Sequence, residues 1–377
     1  MATEHGVWLA EALGPASLGP SALLGRYGTA QTVYEAREEL EATGLITRAQ
    51  CRQLLKYPLE KARELVEKHR AAGIGVAACD EDGYPGQLRG LEDMPAALYY
   101  KGDISVCGGG LLIAMIGSRR PSEYGVRAQK FLSEGLCRAG AILVSGLASG
   151  LDSEAHKAAV RAGTPTVAVI GTGPDLCYPA ANKTLAELIE GCGVVLSEYP
   201  MGTPGAKQHF LQRNRLIAGL SRGVCVAEAA RHSGTMSTIA CADRYGRDVF
   251  AVPGSIFSPL SAGVNALLAT GAKPVCTPED ILKEYGVEEA PRTQPQPEEQ
   301  AAPELTPLQA RVCGLLTDAP KTLGELCAET GSAPPAKVLA ALTSLELAGL
   351  ARQLAGRRFQ RTERMPEQTE KEDLEDE

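Results

Sequence analysis

The sequence predicts an α/β protein with a doubly wound, Rossmann-like, mostly parallel sheet, preceded by a helical domain and followed by a winged helix. Two observations predict the sheet. Short apolar runs of strand length alternate with segments of helical spacing, and the runs contain few polar residues, which is typical of strands buried on both faces. Turns that contain glycine follow these runs, as they do in βαβ units, whose strands are parallel.

The central part of the chain carries this pattern. We interpret the apolar runs at 111–116, 141–144, 166–170, 194–197, 224–227, 249–252 and 274–276 as strands. The helix after the first run has apolar or small residues at helical spacing, which predicts a face that packs on the sheet. The residues of this face are Tyr124, Ala128, Phe131, Leu132, Gly135, Leu136 and Ala139.

Residues 1–74 have helical spacing interrupted by glycine and Gly-Pro turns, with longer helices predicted over 30–42 and 59–72. Such helices occur in helix-hairpin-helix modules, which hold a DNA backbone through amides, and equally in small bundles used for packing or protein contact. Arg26 is the one cation near the glycine turns, which favours the bundle. Residues 75–103 read as an irregular connector with one extra strand or pairing segment at 97–100.

The C-terminal part predicts a linker, a small domain and a tail. Residues 288–304 are rich in Pro, Gln and Glu, which is typical of linkers. Three helices (307–316, 323–330, 335–347) and a β-ribbon (350–359) indicate a winged helix over 305–360. Lys337 is the one basic residue of its third helix, whereas Arg352, Arg357 and Arg358 lie on the wing. We therefore favour protein contact over sequence-specific DNA reading. Residues 361–377 are predicted to be a disordered acidic tail.

Composition and charge exclude several classes of protein. The net charge of −8 arises from the linker, with five acids and one base, and from 362–377, with eight acids and two bases; the other residues carry +2. The eleven cysteines are scattered without CxxC spacing, which predicts reduced thiols, no metal site and a cytoplasmic protein. The N-terminus lacks the pattern of a signal peptide, and no apolar run has the length of a membrane span, so we expect no membrane partner.

Turn residues follow nearly every predicted strand. In an open parallel sheet the carboxyl ends of the strands form one edge, where glycine amides and helix starts favour phosphate. The candidate binding residues at this edge are Gly117, Ser118, Arg119, Ser145, Gly146, Gly173, Lys183, Arg213, Asn214, Arg215, Ser233, Gly234, Thr235, Gly254 and Asn265. Arg213 and Arg215 lie about 200° apart on a helix, so one of them is free to bind a ligand while the other pairs with Glu198 or Glu228.

An enzyme is the alternative that the residues themselves suggest. Ser145, Asp152 and His156 could be assembled as a catalytic set, but the serine lacks the G-x-S-x-G turn of a nucleophile. We interpret Asp152 as a helix N-cap that accepts from the amides of Glu154 or Ala155, and His156 as structural. Neither a P-loop nor a G-x-G-x-x-G sequence is present, which counts against ATP hydrolysis of the P-loop type and against NAD binding, so we predict no cofactor.

Seven motifs in fixed order carry a resemblance to a known family. They are GSRRPSEYG, SGLASGLDSEAH, GTGPDLCYPAAN, SEYPMGTPG, FLQRNRLIAGLS, EAARHSGTMST and AVPGS. With these motifs, the chain over about 80–287 resembles the DNA-processing protein A (DprA/Smf) family. The two departures are mild: Leu211 stands where that family usually has proline, and Thr235 where serine is common.

The resemblance implies a single-stranded DNA-binding protein on an extended Rossmann fold, without catalysis. Members of this family protect incoming strands in natural transformation and load RecA recombinase onto them, usually as dimers. By motif position, Gly117, Ser118 and Arg119 are expected to contact DNA phosphate, with Arg213–Arg215 nearby and Lys183 as a looser match. Because aromatic residues make up only 5% of the chain, we expect binding to depend on phosphates and to be sensitive to salt.

Two rival functions remain as alternatives. A nucleotide-processing enzyme of the lysine-decarboxylase-like group, of phosphoribohydrolase type, would share the sheet but carry a PGGxGTxxE signature. Residues 231–238 read RHSGTMST, without the paired glycine or the glutamate, which counts against that enzyme. A nucleotide-sensing regulator with its winged helix on promoter DNA is disfavoured by the few polar residues of the third helix.

Overall fold

The computed structural model describes residues 2–287 and 305–361, apart from 318, 332, 348–349 and 355–357. The chain divides into two compact units, Met1–Ala290 and Pro291–Glu377. The predicted linker, nearly all of the predicted tail, Arg357 and the wing turn at Ala355-Gly356 lie outside the described residues. No helix within the described ranges has both the length and the apolar character needed to cross a membrane.

The larger unit contains a nine-stranded sheet. Its strands are β1 (Gly75–Ala78), β2 (Ala97–Gly102), β3 (Leu112–Ile116), β4 (Ile142–Ser145), β5 (Thr166–Ile170), β6 (Val194–Ser197), β7 (Gly223–Val226), β8 (Asp248–Ala251) and β9 (Lys273–Pro274). Their order across the sheet is β1-β2-β6-β5-β4-β3-β7-β8-β9. The seven strands from β6 to β9 are parallel, which confirms the predicted fold class.

Helices cover both faces of this sheet. They are α1 (Ala2–Leu13), α2 (Gly19–Tyr27), α3 (Ala30–Glu35), α4 (Leu40–Thr43), α5 (Arg48–Lys56), α6 (Leu59–Ala71), α7 (Glu123–Arg138), α8 (Leu151–Arg161), α9 (Lys183–Cys192), α10 (Lys207–Leu220), α11 (Thr235–Arg244), α12 (Ala262–Ala269) and α13 (Pro278–Leu282). Alternate residues of β3 enter different cores: Ala114 belongs to one apolar cluster and Met115 to another. The strands are therefore buried on both faces, as their unbroken apolar runs predicted.

The N-terminal helices pack against the larger sheet. Trp8 of α1 belongs to the same apolar cluster as Leu98 of β2 and Leu216 of α10. The single helix predicted over 30–42 is wrong, because a turn separates α3 from α4, with the Glu39 amide donating to the Ala36 carbonyl at 2.9 Å. The capping box of Thr29 and Thr32 marks the start of α3.

The connector is more regular than the sequence indicated. Residues 97–100 do form part of a strand, β2, but 75–78 form a further strand, β1, that the sequence analysis missed. Strand β2 is antiparallel to both β1 and β6. At Gly75 the ring of Tyr100 lies so close that a Cβ atom would stand 2.2 Å from its Cζ, and a short run opened by such a glycine gives a weak strand signal.

Helix α7 corrects another expectation. Leu132, Gly135 and Leu136 are buried on the sheet as predicted. Tyr124 and Phe131, however, are 50% and 47% exposed, although they were assigned to the same face. Seven residues spread over 16 positions make a face wider than the sheet covers, so its margins remain in solvent.

The smaller unit is a winged helix. It contains α14 (Pro307–Leu315), β10 (Lys321–Thr322), α15 (Leu323–Thr330), α16 (Pro335–Leu347), β11 (Ala351–Leu354) and β12 (Arg358–Arg361). The three strands are antiparallel in the order β10-β12-β11, and the core includes Val312, Leu326, Leu342 and Phe359. The two-residue strand β10 was missed, since a pair of residues carries no periodicity.

Candidate functional site

An open cleft of about 670 Å³ lies at the carboxyl edge of the larger sheet. Its walls come from the turn after β3, the loop after β4, the first two turns of α10 and the turn after β7. A smaller cavity of about 210 Å³ shares Arg119, Ala148, Tyr178 and Phe210 with it. Segments far apart in sequence therefore meet at one place, as the parallel topology requires.

The turn after β3 is fixed by its backbone. The Ser118 amide donates to the Glu228 carbonyl at 2.8 Å, and the Ser118 carbonyl accepts from the Leu151 amide at 3.1 Å. A Cβ atom at Gly117 would lie 2.4 Å from Leu151 Cδ1, so only glycine fits. Arg119 stands exposed on this rigid turn, with its guanidinium carbon 5.9 Å from the Phe210 ring centroid. A fixed backbone thus holds a solvent-accessible cation at the mouth of the cleft.

Glu228, at the end of β7, has a structural role. Its buried carboxylate accepts from the Ser122 amide at 2.8 Å and from the Ser122 hydroxyl at 2.6 Å. The Ser122 hydroxyl oxygen in turn accepts from the Gly125 amide and caps α7. Glu228 therefore ties the start of α7 to β7 and does not face the ligand cleft as a free base.

Arg213 lies beneath the cleft and is almost fully buried. Its guanidinium donates to the carbonyl of Gly146 at 2.6 Å and to that of Val169. Burial lowers the pKa of Arg213 to about 10, while the nearby Asp152 partly opposes this shift. The side chain thus joins α10 to the ends of β4 and β5, and contributes positive charge from below the cleft.

Asp152 does not cap a helix as predicted. The residue is the second of α8, and its Oδ2 accepts from the Gly146 amide at 3.2 Å. Burial raises the pKa of Asp152, although Arg213 and the amides of Ala148 and Gly146 act in the opposite direction. A Cβ at Gly146 would lie 2.7 Å from both Arg213 and Asp152, so this turn also requires glycine.

Arg215 points away from the cleft. Its Nη2 donates to both carboxylate oxygens of the buried Glu198 at 2.5 Å each, and its Nε lies 3.9 Å from Asp93. Asp93 also accepts from Arg244 at 2.7 Å. Arg213 and Arg215 therefore lie on opposite sides of α10, as their spacing indicated, and Glu198 is the partner of Arg215. The expectation that one of them is free for a ligand is wrong, because Arg213 is buried too and donates to two backbone carbonyls.

The turn after β7 adds polar groups to the cleft. Asn214 donates to Ser237 Oγ at 2.8 Å, and Thr235 Oγ1 donates to the Gly117 carbonyl at 3.2 Å. Within the described part of the chain, the buried Ser233 hydroxyl has no hydrogen-bond partner. This hydroxyl is itself buried, so it becomes a donor to a ligand only if the Ser233 side chain rotates into the cleft.

The structure brings together some of the predicted residues and separates others. Those lining the two cavities are Gly117, Ser118, Arg119, Gly146, Arg213, Asn214, Ser233, Gly234 and Thr235. Those that do not line them are Ser145, Gly173, Lys183, Arg215, Gly254 and Asn265.

Internal hydrogen bonds account for several members of the second group. The buried Ser145 hydroxyl donates to the Met115 carbonyl at 2.6 Å, and the Gly173 amide to the Thr203 carbonyl at 2.9 Å. Gly254 and Asn265 are bonded to each other through both backbone groups of the glycine. Lys183 is exposed, but it starts α9 outside the cleft lining.

Four basic or aromatic cleft residues were not among the predicted binding residues: Arg120, Tyr178, Lys207 and Phe210. Tyr178 is 56% exposed, and its ring centroid lies 5.1 Å from that of Phe210. Lys207 is exposed at the first position of α10, one turn before Phe210. The signal that could have found Lys207 and Phe210 is their i, i+3, i+7 spacing with Asn214, which puts all three on one helix face.

The catalytic set considered from sequence does not assemble. Thr166 Oγ1 donates to the Leu143 carbonyl at 2.7 Å, so it accepts from His156 Nδ1 at 2.9 Å, and the ring is neutral. Burial lowers the pKa of His156 to about 3. With Ser145 bonded to Met115 and Asp152 to Gly146, each side chain has a separate structural partner.

Comparison with known proteins adds a family to this geometry. The family model described as DNA recombination-mediator protein A matches residues 75–286, and that of the DprA winged helix domain matches 296–357. The chain belongs to the DprA family. This confirms the resemblance found in the motifs. The DNA processing protein DprA of Bacillus subtilis is 38% identical over 239 residues, which are 63% of this chain and 80% of the relative.

Two solved DprA structures are similar to this chain. The X-ray structure of DprA from Streptococcus pneumoniae has a TM-score of 0.65 and 34% identity, over 75% of this chain and 98% of the other. DNA processing protein A from Helicobacter pylori has a TM-score of 0.52 and 31% identity, over 56% and 95%. The latter structure was described for its unique single-stranded DNA binding mode.

Proposed function

We propose that this protein binds single-stranded DNA in the cleft at the carboxyl edge of its larger sheet. The observation that carries this proposal is the exposed Arg119, held on a rigid glycine turn beside an aromatic pair of the exposed Tyr178 and the half-buried Phe210. A cation on a fixed backbone binds phosphate with little loss of backbone conformational entropy, and aromatic faces bind bases. The described binding mode of the Helicobacter pylori protein supports the choice of single strands.

Phosphate recognition has several candidate donors. Arg119, Arg120 and Lys207 are exposed around the cleft, and the Ser233 hydroxyl lacks a partner among the described residues. Exposed guanidinium and ammonium groups neutralise phosphates and release counterions, which makes affinity depend on salt. This part of the proposal agrees with the phosphate-based binding expected from the sequence.

The aromatic pair extends that expectation. Tyr178 and Phe210 are tilted by 32° to each other, and Arg119 lies near the Phe210 ring. An unpaired base has an open π face that can contact such rings, whereas the faces of a duplex base are covered by its neighbours. We therefore expect single strands of mixed sequence to bind more tightly than duplexes. The low aromatic content of the whole chain gave no indication that two aromatic residues would meet at this cleft.

Arg119→Ala tests the site. The substitution should weaken binding of single strands uniformly across sequences by about 1–3 kcal/mol, as for a charged hydrogen bond. Arg138→Ala is the matched control, because Arg138 is exposed at the opposite end of α7. Titration of labelled oligonucleotides and duplexes at fixed salt measures both effects. Duplex binding as tight as single-strand binding, or an Arg119→Ala protein that binds normally, would contradict the proposal.

The wider role proposed is protection of incoming DNA and loading of RecA recombinase in natural transformation. It rests on family membership, and we propose with it a cytoplasmic homodimer without enzymatic activity. RecA filament formation on single strands coated with a competing binding protein should accelerate in the presence of this protein. Arg119→Ala should abolish the acceleration, and a protein that binds DNA without accelerating RecA would contradict the loading role alone.

The absence of catalysis is proposed on geometry. Ser145, Asp152 and His156 are each bonded to separate partners, which leaves no nucleophile–base pair among them. Incubation with nucleoside monophosphates should therefore release no free base. Release of base at a rate lowered by Asp152→Asn would instead support the phosphoribohydrolase alternative.

A further inference from the structure

Two large apolar side chains project from the loop between β8 and α12. Ile256 is 83% exposed and Phe257 is 89% exposed, the highest values among the large apolar residues that the structure describes. Exposing an aromatic side chain of this size forgoes about 1.5–3 kcal/mol of burial free energy. Single exposed apolar residues are ordinary, but two consecutive ones at a loop tip indicate a contact surface.

Hydrogen bonds fix the base and the tip of this loop. The Tyr124 hydroxyl donates to the Pro253 carbonyl at 2.5 Å, and the Asn265 side chain bonds both backbone groups of Gly254. The Phe257 amide donates to Ser255 Oγ at 3.3 Å, and the Ser258 amide to the Ser255 carbonyl at 3.0 Å. The outward position of Phe257 is therefore built into the turn.

The loop lies on the same edge of the sheet as the cleft. Strand β8 pairs with β7, and β7 with β3, so two strand spacings, roughly 10 Å, separate this loop from the Gly117 turn. The Gly263 amide donates to the Ala229 carbonyl at 2.9 Å and joins the end of the loop to the turn after β7. That turn lines the cleft with Ser233 and exposes Arg231 and His232.

We propose that Phe257, flanked by Ile256, is a second base-stacking site for the strand that occupies the cleft. The inference rests on the proposed function and extends its binding path. Residues 249–272 contain no charged side chain, so this loop offers a base contact, while Arg231 of the neighbouring turn supplies the cation for phosphate. A phenylalanine buries at most about 250 Å², far below the roughly 1,000 Å² that a stable protein interface requires. A base, by contrast, matches one aromatic ring.

Phe257→Trp provides a direct probe. The chain has one natural tryptophan, Trp8, which is fully buried and serves as a constant background. Addition of an oligonucleotide of about 20 nucleotides should quench the emission of the new indole, whereas an abasic strand should bind without quenching it. Leu188→Trp, at a half-exposed position on α9, is the matched control and should not respond.

Affinity measurements complete the test. Phe257→Ala should weaken binding of the 20-nucleotide strand about tenfold, leave binding of a trinucleotide within twofold, and be rescued by Phe257→Tyr. The exposed position predicts an unchanged urea midpoint. Normal binding by Phe257→Ala alongside loss in Arg119→Ala would overturn this inference and leave the proposed function intact. Failure of the unaltered protein to bind single strands would overturn both. A lower sedimentation coefficient for Phe257→Ala would overturn the inference in favour of contact between copies of the chain.

Discussion

Arg213 and Arg215 look alike in the sequence, but the two buried side chains have different partners. Arg213 joins strand ends beneath the cleft, and Arg215 neutralises Glu198 and Asp93 inside the fold. Spacing on the helix placed them on different sides, but their burial depends on distant elements: Gly146 and Val169 for Arg213, and Asp93 on the connector for Arg215. Local sequence carries no record of such distant partners. The same limit explains why Ser145, a plausible turn residue, is a buried donor to Met115.

Arg215→Met should lower the free energy of unfolding by about 3–5 kcal/mol, because it leaves the carboxylate of Glu198 buried without its cation, whereas Asp93 keeps Arg244. Urea unfolding measures the change. Arg161→Ala is the control: its pair with Glu134 is exposed and 3.9 Å long, so the loss should stay below about 0.5 kcal/mol. If Arg215→Met unfolds at the same urea concentration as the unaltered protein, Glu198 has another partner that stabilises it.

His156 predicts an acid dependence of stability. Burial lowers its pKa in the folded protein to about 3, whereas the unfolded ring has a pKa near 6.5. The stability that the neutral ring contributes is therefore complete above pH 6.5 and is lost as pH falls toward 3. Between pH 7 and pH 5 we expect this residue to account for about 2 kcal/mol of the decline. Urea unfolding at each pH should show a flatter profile for His156→Asn, and an unchanged profile for the exposed control His232→Asn.

At the scale of elements, burial decided what the sequence could predict. Strands β5 and β6 were predicted with their observed bounds, since apolar runs buried on both faces leave a strong signal. Edge strand β1 and the two-residue β10 were missed because each is short and only partly buried. The margins of α7 were predicted buried, since periodicity gives the direction of a face but not how far a neighbouring element covers it.

Helix α10 has one face for the ligand and another for the fold. Lys207, Phe210 and Asn214 face the cleft, while Arg215 enters the interior. Substitution of Lys207 or Phe210 should change binding more than stability, because neither side chain is deeply buried. The candidate site could thus be located from glycine turns and the RNR triplet, but its aromatic wall required the helix to be placed against Tyr178.

A double substitution, Lys207→Ala with Phe210→Ala, should weaken single-strand binding by about 2–4 kcal/mol, from one phosphate contact and one stacked base. The urea midpoint should fall only slightly. Gly146→Ala should instead lower the stability of the fold, since its Cβ would lie 2.7 Å from Arg213 and Asp152. Any loss of binding would follow from that disturbance. Equal loss of stability in both proteins would contradict the division of α10 into two faces. Fluorescence anisotropy and urea unfolding, run on the same samples, separate the two effects.

At the scale of the whole molecule, net charge conceals the character of the binding unit. The chain carries −8, yet residues 362–377 alone hold eight acids and two bases. A segment of net negative charge repels DNA phosphates. The overall pI of about 5.4 therefore says little about the partner of the larger unit.

Deletion of 362–377 should leave single-strand affinity unchanged or raise it, because the net charge rises from −8 to −2 without loss of a cleft residue. The gain should be largest at low salt, where charges are least screened, and vanish near 0.5 M salt, where the Debye length is only a few ångströms.

Three cleft cations, Arg119, Arg120 and Lys207, predict a slope of log affinity against log salt of about −2 for single strands. Titrations at four salt concentrations measure this slope in both proteins. Replacing the eight acids and two bases of this segment by glutamine is the matched control, with the same net charge as the deletion, and should reproduce it, since charge rather than length is the cause. A tenfold loss of affinity on deletion, with the slope reduced, would instead place residues of this segment in the binding site.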